Sequence, residues 1–151
     1  MFLNYLSFKR ILYGTFLIIF LNLLGGCQLN TDKTAKVAPP GWIVSTKPAI
    51  QEVNVPLKSD IEIVFNQDMD ANTLNYDNII ALEGLHSGVI TNMFKYEYLE
   101  SKRTLYMKFK DPESDYGPGN GITVTITGKV ANKGGQIMGK DYILNFGIID
   151  Q

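Results

Sequence analysis

Two acidic residues lie close together in the stretch "FNQDMDANTLNYDNIIAL", where an alternating apolar segment ends. Asp68 and Asp70 flank Met69, and carboxylates at this spacing could bind a cation, act as an acid/base pair or stabilise a turn. The following "ANTL" suits a short helical turn. The free N–H groups at the start of such a turn can donate hydrogen bonds to the carboxylate of a preceding aspartate. We therefore predict that Asp70 caps this turn, that Met69 points into the core, and that Asp68 lies on the turn.

A second acidic stretch, "DPESDYGPGNG", places Asp111, Glu113 and Asp115 at alternating positions, as a calcium loop does. In an EF-hand loop a glycine stands sixth and a bidentate glutamate twelfth, but here Gly117 comes one position late and Ile122 stands in place of the glutamate. We predict a polar loop between strands and expect no metal site. Calcium is the alternative, with a melting temperature that rises with calcium concentration. Its candidate ligands are Asp68, Asp70, Asp111, Glu113 and Asp115.

The residues needed for catalysis do not form a recognisable set. His86 is the single histidine and is followed directly by Ser87. Adjacent residues on a strand point to opposite faces, and no nucleophile-elbow pattern occurs, so a Ser-His-acid triad is not indicated. One histidine and one cysteine cannot supply a zinc site. We predict a solvent-facing loop histidine, no enzymatic activity, no catalytic residues and no cofactor.

The N-terminus has the three parts of an export signal. Lys9 and Arg10 precede an apolar run, Ile11–Leu24, and "GGC" follows. The run has about 14 residues, which suits a signal peptide and falls short of the roughly 20 that span a bilayer. "LGGC" resembles a bacterial lipobox, which implies cleavage after Gly26 and lipidation of Cys27. The alternative is a plain secretory signal cut near Cys27.

The cysteine count and the charge limit the possible partners. Cys27 is the only cysteine, so the fold must hold without a disulfide. Removal of residues 1–26 takes two of the 14 basic residues and leaves 12 against 15 acidic ones, a net charge of about −3. This negative net charge does not favour the binding of nucleic acid, which requires a cluster of positive side chains.

The lipobox resemblance implies that the protein is located in the bacterial envelope. It implies two or three acyl chains on Cys27, palmitate among them, which together anchor a protein durably in a membrane. Gln28 follows the cysteine, and where an aspartate at that position retains lipoproteins in the inner membrane, glutamine permits export. We therefore expect a lipid-anchored protein of the outer membrane or cell surface.

Composition divides the chain into three parts. Residues 1–26 are the predicted lipoprotein signal peptide, and residues 27–41 are the lipidated cysteine and a flexible tether that ends in "PPG". Residues 42–151 form one domain, long enough for a single core. Trp42 opens this domain, and we expect it to cap one end of the core.

The domain consists of short segments with period-2 alternation, which indicates strands. We predict a hairpin in which Phe94, Tyr96 and Tyr98 lie opposite Phe109, Met107 and Leu105, because this register keeps the large apolar side chains on one buried face. An exposed aromatic platform for a glycan or a protein is the alternative. The predicted strand segments are "DIEIVFN", "NIIAL", "GVITNMFKYEYLE", "TLYMKFK", "GITVTITGKV" and "DYILNFGII". The tyrosines expected to be exposed contacts are Tyr76, Tyr106 and Tyr116.

The opening stretch, together with "LYMKF", "YGPGNG", "ITVTITGKVANKGGQIMG" and "YILNF", resembles the bacterial Ig-like domains of S-layer proteins. The resemblance covers about residues 43–148 and implies an all-β, antiparallel Ig-like sandwich of about seven strands. Ile122, Asn132 and Leu144 depart from the family pattern.

The fold hosts many unrelated roles, so function is a separate expectation. We expect a lipid-anchored, non-catalytic binding or spacer module of the bacterial cell envelope. Its ligand would be a protein or a glycan, and its membrane contact the lipid on Cys27. The alternative is a structural accessory subunit of an envelope or surface assembly, joined by edge-strand addition.

Overall fold

A computed structural model describes residues 41–150 of the chain. The predicted signal peptide, Cys27 and the tether up to residue 40 lie outside the described residues. The described part contains eight strands and three 3₁₀ turns, and none of these turns is long or apolar enough to span a bilayer. The strands are β1 Ile43–Lys47, β2 Glu52–Val55, β3 Ile61–Phe65, β4 Ile79–Glu83, β5 Phe94–Leu99, β6 Thr104–Phe109, β7 Gly121–Ile126 and β8 Tyr142–Ile148. The 3₁₀ turns are Ala71–Thr73, Thr91–Met93 and Glu100–Lys102.

The strands form two four-stranded sheets around a common core. Sheet I has the order β1-β3-β6-β5, and sheet II has the order β2-β8-β7-β4. Neighbouring strands are antiparallel except β2 and β8, which are parallel. The predicted all-β, Ig-like sandwich is confirmed, with eight strands and one parallel pair where about seven antiparallel strands were expected.

The predicted hairpin is confirmed in its register. Phe94 pairs with Phe109, Tyr96 with Met107, and Tyr98 with Leu105 across β5 and β6. Phe94, Leu105 and Met107 are fully buried, and the other three pack against the core with part of their surface exposed. The aromatic side chains of β5 therefore belong to the core and do not form an exposed platform.

Alternating residues of both sheets fill the core. In β7, for example, Ile122, Val124 and Ile126 are buried, whereas Thr123 and Thr125 are half-buried on the other face, as the alternation predicts. Each large aliphatic side chain buried in this way contributes about 1.5–3 kcal/mol through the hydrophobic effect. This packing holds residues 41–150 together in the absence of a disulfide.

An aromatic cluster closes one end of the sandwich and corrects one prediction. Tyr116, expected to be an exposed contact, is only 3% exposed. Its ring centre lies 4.8 Å from that of Phe109, 5.8 Å from that of Phe146 and 6.1 Å from that of Phe94. Its hydroxyl donates to the Ser59 carbonyl at 2.9 Å. The prediction was wrong because the loop that carries Tyr116 folds over the end of the core.

The other aromatic predictions have mixed outcomes. Tyr76 is exposed, as expected. Tyr106 is only partly exposed, because it lies on the outer face of sheet I with the Lys108 ammonium 5.4 Å from its ring centre. Trp42 is partly buried and packs against the core, as expected for a residue at its end.

Candidate functional site

The acidic turn after β3 is a structural cap. The Asp70 carboxylate accepts the Asn72 backbone N–H at 3.0 Å, at the start of the 3₁₀ turn Ala71–Thr73. Met69 is fully buried, and its N–H donates to the Tyr98 hydroxyl at 3.0 Å. The predicted cap and the inward-pointing methionine are both confirmed. This turn thereby joins the end of β3 to the edge strand β5.

Asp68 forms an ion pair beside the same turn. Its Oδ1 atom lies 2.8 Å from the Arg103 Nε atom, and both side chains are about half exposed. The hydrogen bond from Arg103, followed by the charge of Arg103, lowers the pKa of Asp68. Asp68 and Asp70 therefore have separate partners, and the two carboxylates do not act as a pair.

The acidic residues of the loop between β6 and β7 organise their own backbone. Asp111 Oδ1 accepts the Glu113 N–H at 3.0 Å, and Asp115 Oδ1 accepts the Gly117 N–H at 2.8 Å. The Glu113 carboxylate lies 3.9 Å from the Lys58 ammonium. Between residues 41 and 150, no three His, Cys, Asp or Glu residues are grouped in a way that could hold a metal ion.

His86 lies in the loop between β4 and β5, largely exposed to solvent. Its Nδ1 atom is 3.5 Å from Glu83 Oε1, and Ser87 adopts a positive φ of 54°. This is the solvent-facing loop histidine that the sequence predicts.

One prediction concerns the cap. We expect Asp70→Ala to lower the free energy of unfolding by about 0.5–2 kcal/mol, because two donors of the turn lose their acceptor. Urea unfolding in EDTA and in calcium should give the same loss. The matched control is Asp77→Ala, which removes an exposed charge from the same loop and should change stability little. A loss seen only in calcium would identify a metal ligand instead.

A shallow groove of about 390 Å³ crosses the outer face of sheet II. Its floor contains Gly121 of β7 and Gly147 of β8, which pair directly across the two strands. Sequence reasoning missed this feature. The available signal was a glycine at an outward position in each of two strand patterns, which can mark the close approach of a ligand. The lining residues are Gln51, Glu52, Val53, Gly84, Gly121, Ile122, Thr123, Asn145, Phe146 and Gly147.

The outer faces of the two sheets differ in charge. The outward positions of sheet II on β4, β7 and β8 hold only uncharged residues: Ile80, Leu82, Gly121, Thr123, Thr125, Ile143, Asn145 and Gly147. The outward face of sheet I carries Lys47, Glu62, Lys95, Glu97 and Lys108. The outward positions on three of the four strands of sheet II are therefore uncharged, whereas β2 carries the exposed Glu52 and the outward face of sheet I is charged.

A second groove, of about 230 Å³, lies against sheet I and is charged. Two of its lysines have acidic neighbours: the Lys108 ammonium lies 4.0 Å from Asp60, and the Lys58 ammonium lies 3.9 Å from Glu113. Lys58 also donates to the Pro112 carbonyl at 2.8 Å. These charges are largely matched within the domain.

Comparison with known proteins extends the geometric description. The sequence model of a family described as a bacterial Ig-like domain matches residues 36–147. A search among curated proteins found no match.

Solved structures share the fold at low sequence identity. The N-terminal part of the bacterial S-layer protein SbsC is 14% identical with a TM-score of 0.49, over 71% of this chain and 23% of that one. CopC from Methylosinus trichosporium OB3b is 10% identical with a TM-score of 0.50, over 73% and 94%. The E. coli alpha-2-macroglobulin is 15% identical with a TM-score of 0.50, over 76% and 6%. At these identities the likeness concerns the fold alone, and this chain spans about a quarter of the SbsC fragment.

Proposed function

The chain belongs to the bacterial Ig-like domain family, and from this premise we propose that it is a lipid-anchored, non-catalytic binding or spacer module of the bacterial envelope. The family is generally non-catalytic and suggests an envelope or surface protein. The observation that carries the binding role is the groove on the outer face of sheet II, where the outward positions of β7 and β8 are uncharged. The acidic residues singled out in the sequence serve caps, ion pairs and loop turns.

Cys27 supplies the proposed anchor, and the segment that follows it supplies the spacing. The fourteen residues 28–41, fully extended, can reach at most on the order of 50 Å. The segment contains Pro39 and Pro40, which favour an extended chain. A domain on such a tether could contact a ligand away from the lipid surface. Gln28 supports transfer to the outer membrane or the cell surface in a cell that retains lipoproteins by an aspartate at that position.

We expect the wild-type protein to carry acyl mass and to stay in the membrane fraction, and Cys27→Ala to carry no acyl mass. The reason is that the acyl chains on Cys27 provide the proposed membrane attachment. Fractionation and blotting measure the distribution, and intact mass measures the lipid on the wild-type protein. A wild-type protein without added acyl mass, or a wild-type protein recovered in the soluble fraction, would contradict the anchor.

Protease treatment of intact cells then determines which side of the envelope the domain faces. Digestion of the wild-type domain in intact cells indicates a surface module that contacts host, neighbour or matrix. Protection until the envelope is broken indicates a role inside it.

A structural accessory subunit is the second candidate, favoured by the open edge that β5 forms in sheet I. β5 ends sheet I with a regular six-residue strand, and an added strand could pair with its free side. The edge of β4 in sheet II is covered instead: Ile90 N–H donates to the Ala81 carbonyl, and Glu83 N–H donates to the Gly88 carbonyl, both at 2.9 Å. Co-purification with an envelope assembly, with no soluble ligand bound, would favour this candidate.

A further inference from the structure

We propose that the groove on the outer face of sheet II binds a neutral saccharide of one or a few sugar units. The inference rests on the binding role proposed above and adds a place and a ligand class. It follows from the paired glycines, from the polar groups at the rim and from the charge of the surrounding face.

The glycines of the floor are not explained by the fold. Neither Gly121 nor Gly147 has a positive φ. A Cβ atom on Gly121 would meet nothing within 4 Å, and one on Gly147 would lie 3.8 Å from the nearest atom, in Val53, which is an ordinary contact. Alanine would therefore fit at both positions and would stabilise a strand relative to glycine. What the two glycines provide is an open floor that a ligand can approach closely.

Most of the exposed lining of the groove is apolar, and three of its side chains can both donate and accept hydrogen bonds. Gln51 and Asn145 contribute amides, and Thr123 contributes a hydroxyl. The Gln51 N–H donates to the Asn145 carbonyl at 2.7 Å, which holds Gln51 in place with a φ of 60°. A non-glycine residue in this conformation is strained, and such strain is concentrated at ligand sites. Sugar hydroxyls, which also donate and accept, complement these groups.

The charge of the face argues for a neutral ligand. The outward positions of β4, β7 and β8 carry no charge, so an anionic ligand would find no counter-charge there. Glu52 is the acidic residue of the groove, and its Oε2 atom already accepts the Ala49 N–H at 2.6 Å. A neutral ligand avoids an unpaired charge on either side of the contact.

The floor offers little to an extended peptide. β7 and β8 are central strands, and both sides of their backbones face a neighbouring strand. At the groove itself, the Gly121 carbonyl accepts the Gly84 N–H at 2.8 Å. A peptide lying here would have its own N–H and C=O groups without backbone partners. A sugar can place its C–H surface on the glycine floor and beside Val53, which is 69% exposed, while its outer hydroxyls stay in water. The groove volume of about 390 Å³ lies at the lower end of the range for small-molecule sites and suits a short saccharide.

The test measures saccharide binding by the processed full chain in a detergent without a sugar headgroup. The probes are neutral oligosaccharides of glucose, galactose, mannose and N-acetylglucosamine, with an oligogalacturonate as the charged comparator. We expect at least one neutral probe to bind. Gly121→Val should weaken its affinity by about tenfold or more, because the new side chain occupies the floor. Asn145→Ala should weaken it by a smaller factor.

The matched control is Thr125→Val, which places the same valine side chain on the same face of β7 but outside the groove. It should leave the affinity within about twofold. Thermal melting verifies that each variant is folded, and Gly121→Val is expected to melt at or above the wild-type temperature.

The remaining outcomes overturn the inference in distinguishable ways. Binding that Gly121→Val leaves unchanged would place the ligand elsewhere, so the groove would be wrong while the binding function stood. Binding of the oligogalacturonate alone would contradict a neutral ligand. Failure of every probe, together with co-purification with an envelope assembly, would overturn both the groove and the proposed binding role.

Discussion

Tyr116→Ala is expected to lower the free energy of unfolding by roughly 3–5 kcal/mol, the range for removing a large buried aromatic side chain. The substitution would leave a cavity among Phe94, Phe109 and Phe146, which surround the ring. Domains are typically stable by only about 5–15 kcal/mol, so this loss is a large part of the total. Urea unfolding followed by circular dichroism measures it.

Two controls separate the contributions to this effect. Tyr116→Phe keeps the ring and removes the hydrogen bond to the Ser59 carbonyl, and should cost about 0.5–1.5 kcal/mol. Tyr76→Ala truncates an exposed tyrosine and should change stability by no more than about 0.5 kcal/mol. If Tyr116→Ala cost no more than Tyr76→Ala, the aromatic cluster would not contribute to the core as described.

Asn120→Ala is expected to destabilise the domain by roughly 2–4 kcal/mol, because the Leu85 N–H, the Tyr116 carbonyl and Glu83 Oε2 lose their hydrogen bonds to this side chain. Asn120 is 2% exposed, and its Oδ1 atom accepts the N–H groups of Gly84 and Leu85, both at 3.1 Å. Its Nδ2 atom donates to Glu83 Oε2 at 2.9 Å and to the Tyr116 carbonyl at 2.8 Å. This one side chain therefore ties the end of β4 to the loop that carries Tyr116.

Asn120→Asp tests the same network through its pH dependence. The substitution puts an acceptor oxygen against the Glu83 carboxylate and the Tyr116 carbonyl, so folding should raise the pKa of the introduced carboxyl. With a raised carboxyl pKa, the free energy of unfolding of the variant lies only a little below that of the wild type at low pH. The full difference is present at pH values above the raised pKa. Urea unfolding of both proteins at pH 4 and pH 7 measures this difference. An equal deficit at the two pH values would show that charge plays no part.

The strands that the sequence predicts well are those with strict alternation. β3 and β7 bury every second residue, and β5 alternates buried or half-buried residues with exposed ones. The apolar pattern of β5 and β6 was sufficient to predict the register between them. The first two strands lack this signal. β1 contains a register shift between Ile43 and Ser45, and β2 has a single buried residue and a positive φ at Asn54.

The candidate sites also differ in how far apart in the sequence their contacting residues lie. The Asp70 cap was predictable because its partner, Asn72, lies two residues away. The burial of Tyr116 was not, since it depends on Ser59 and on aromatic residues from three separate strands. The groove escaped prediction because it exists only where the pairing of β7 with β8 places Gly121 opposite Gly147.

The parallel pairing of β2 with β8 has a consequence for when the domain can fold. β8 comes last of the eight described strands along the chain, yet it lies between β2 and β7, so without it sheet II is in two pieces. β2 and β8 are far apart in the sequence, so their pairing closes a long loop and costs conformational entropy. Folding is therefore slower than in a domain whose contacts are mostly local. A growing chain therefore cannot complete sheet II until β8 has been made. For a protein proposed to leave the cytoplasm, we expect slow folding to favour passage of the unfolded polypeptide across the membrane.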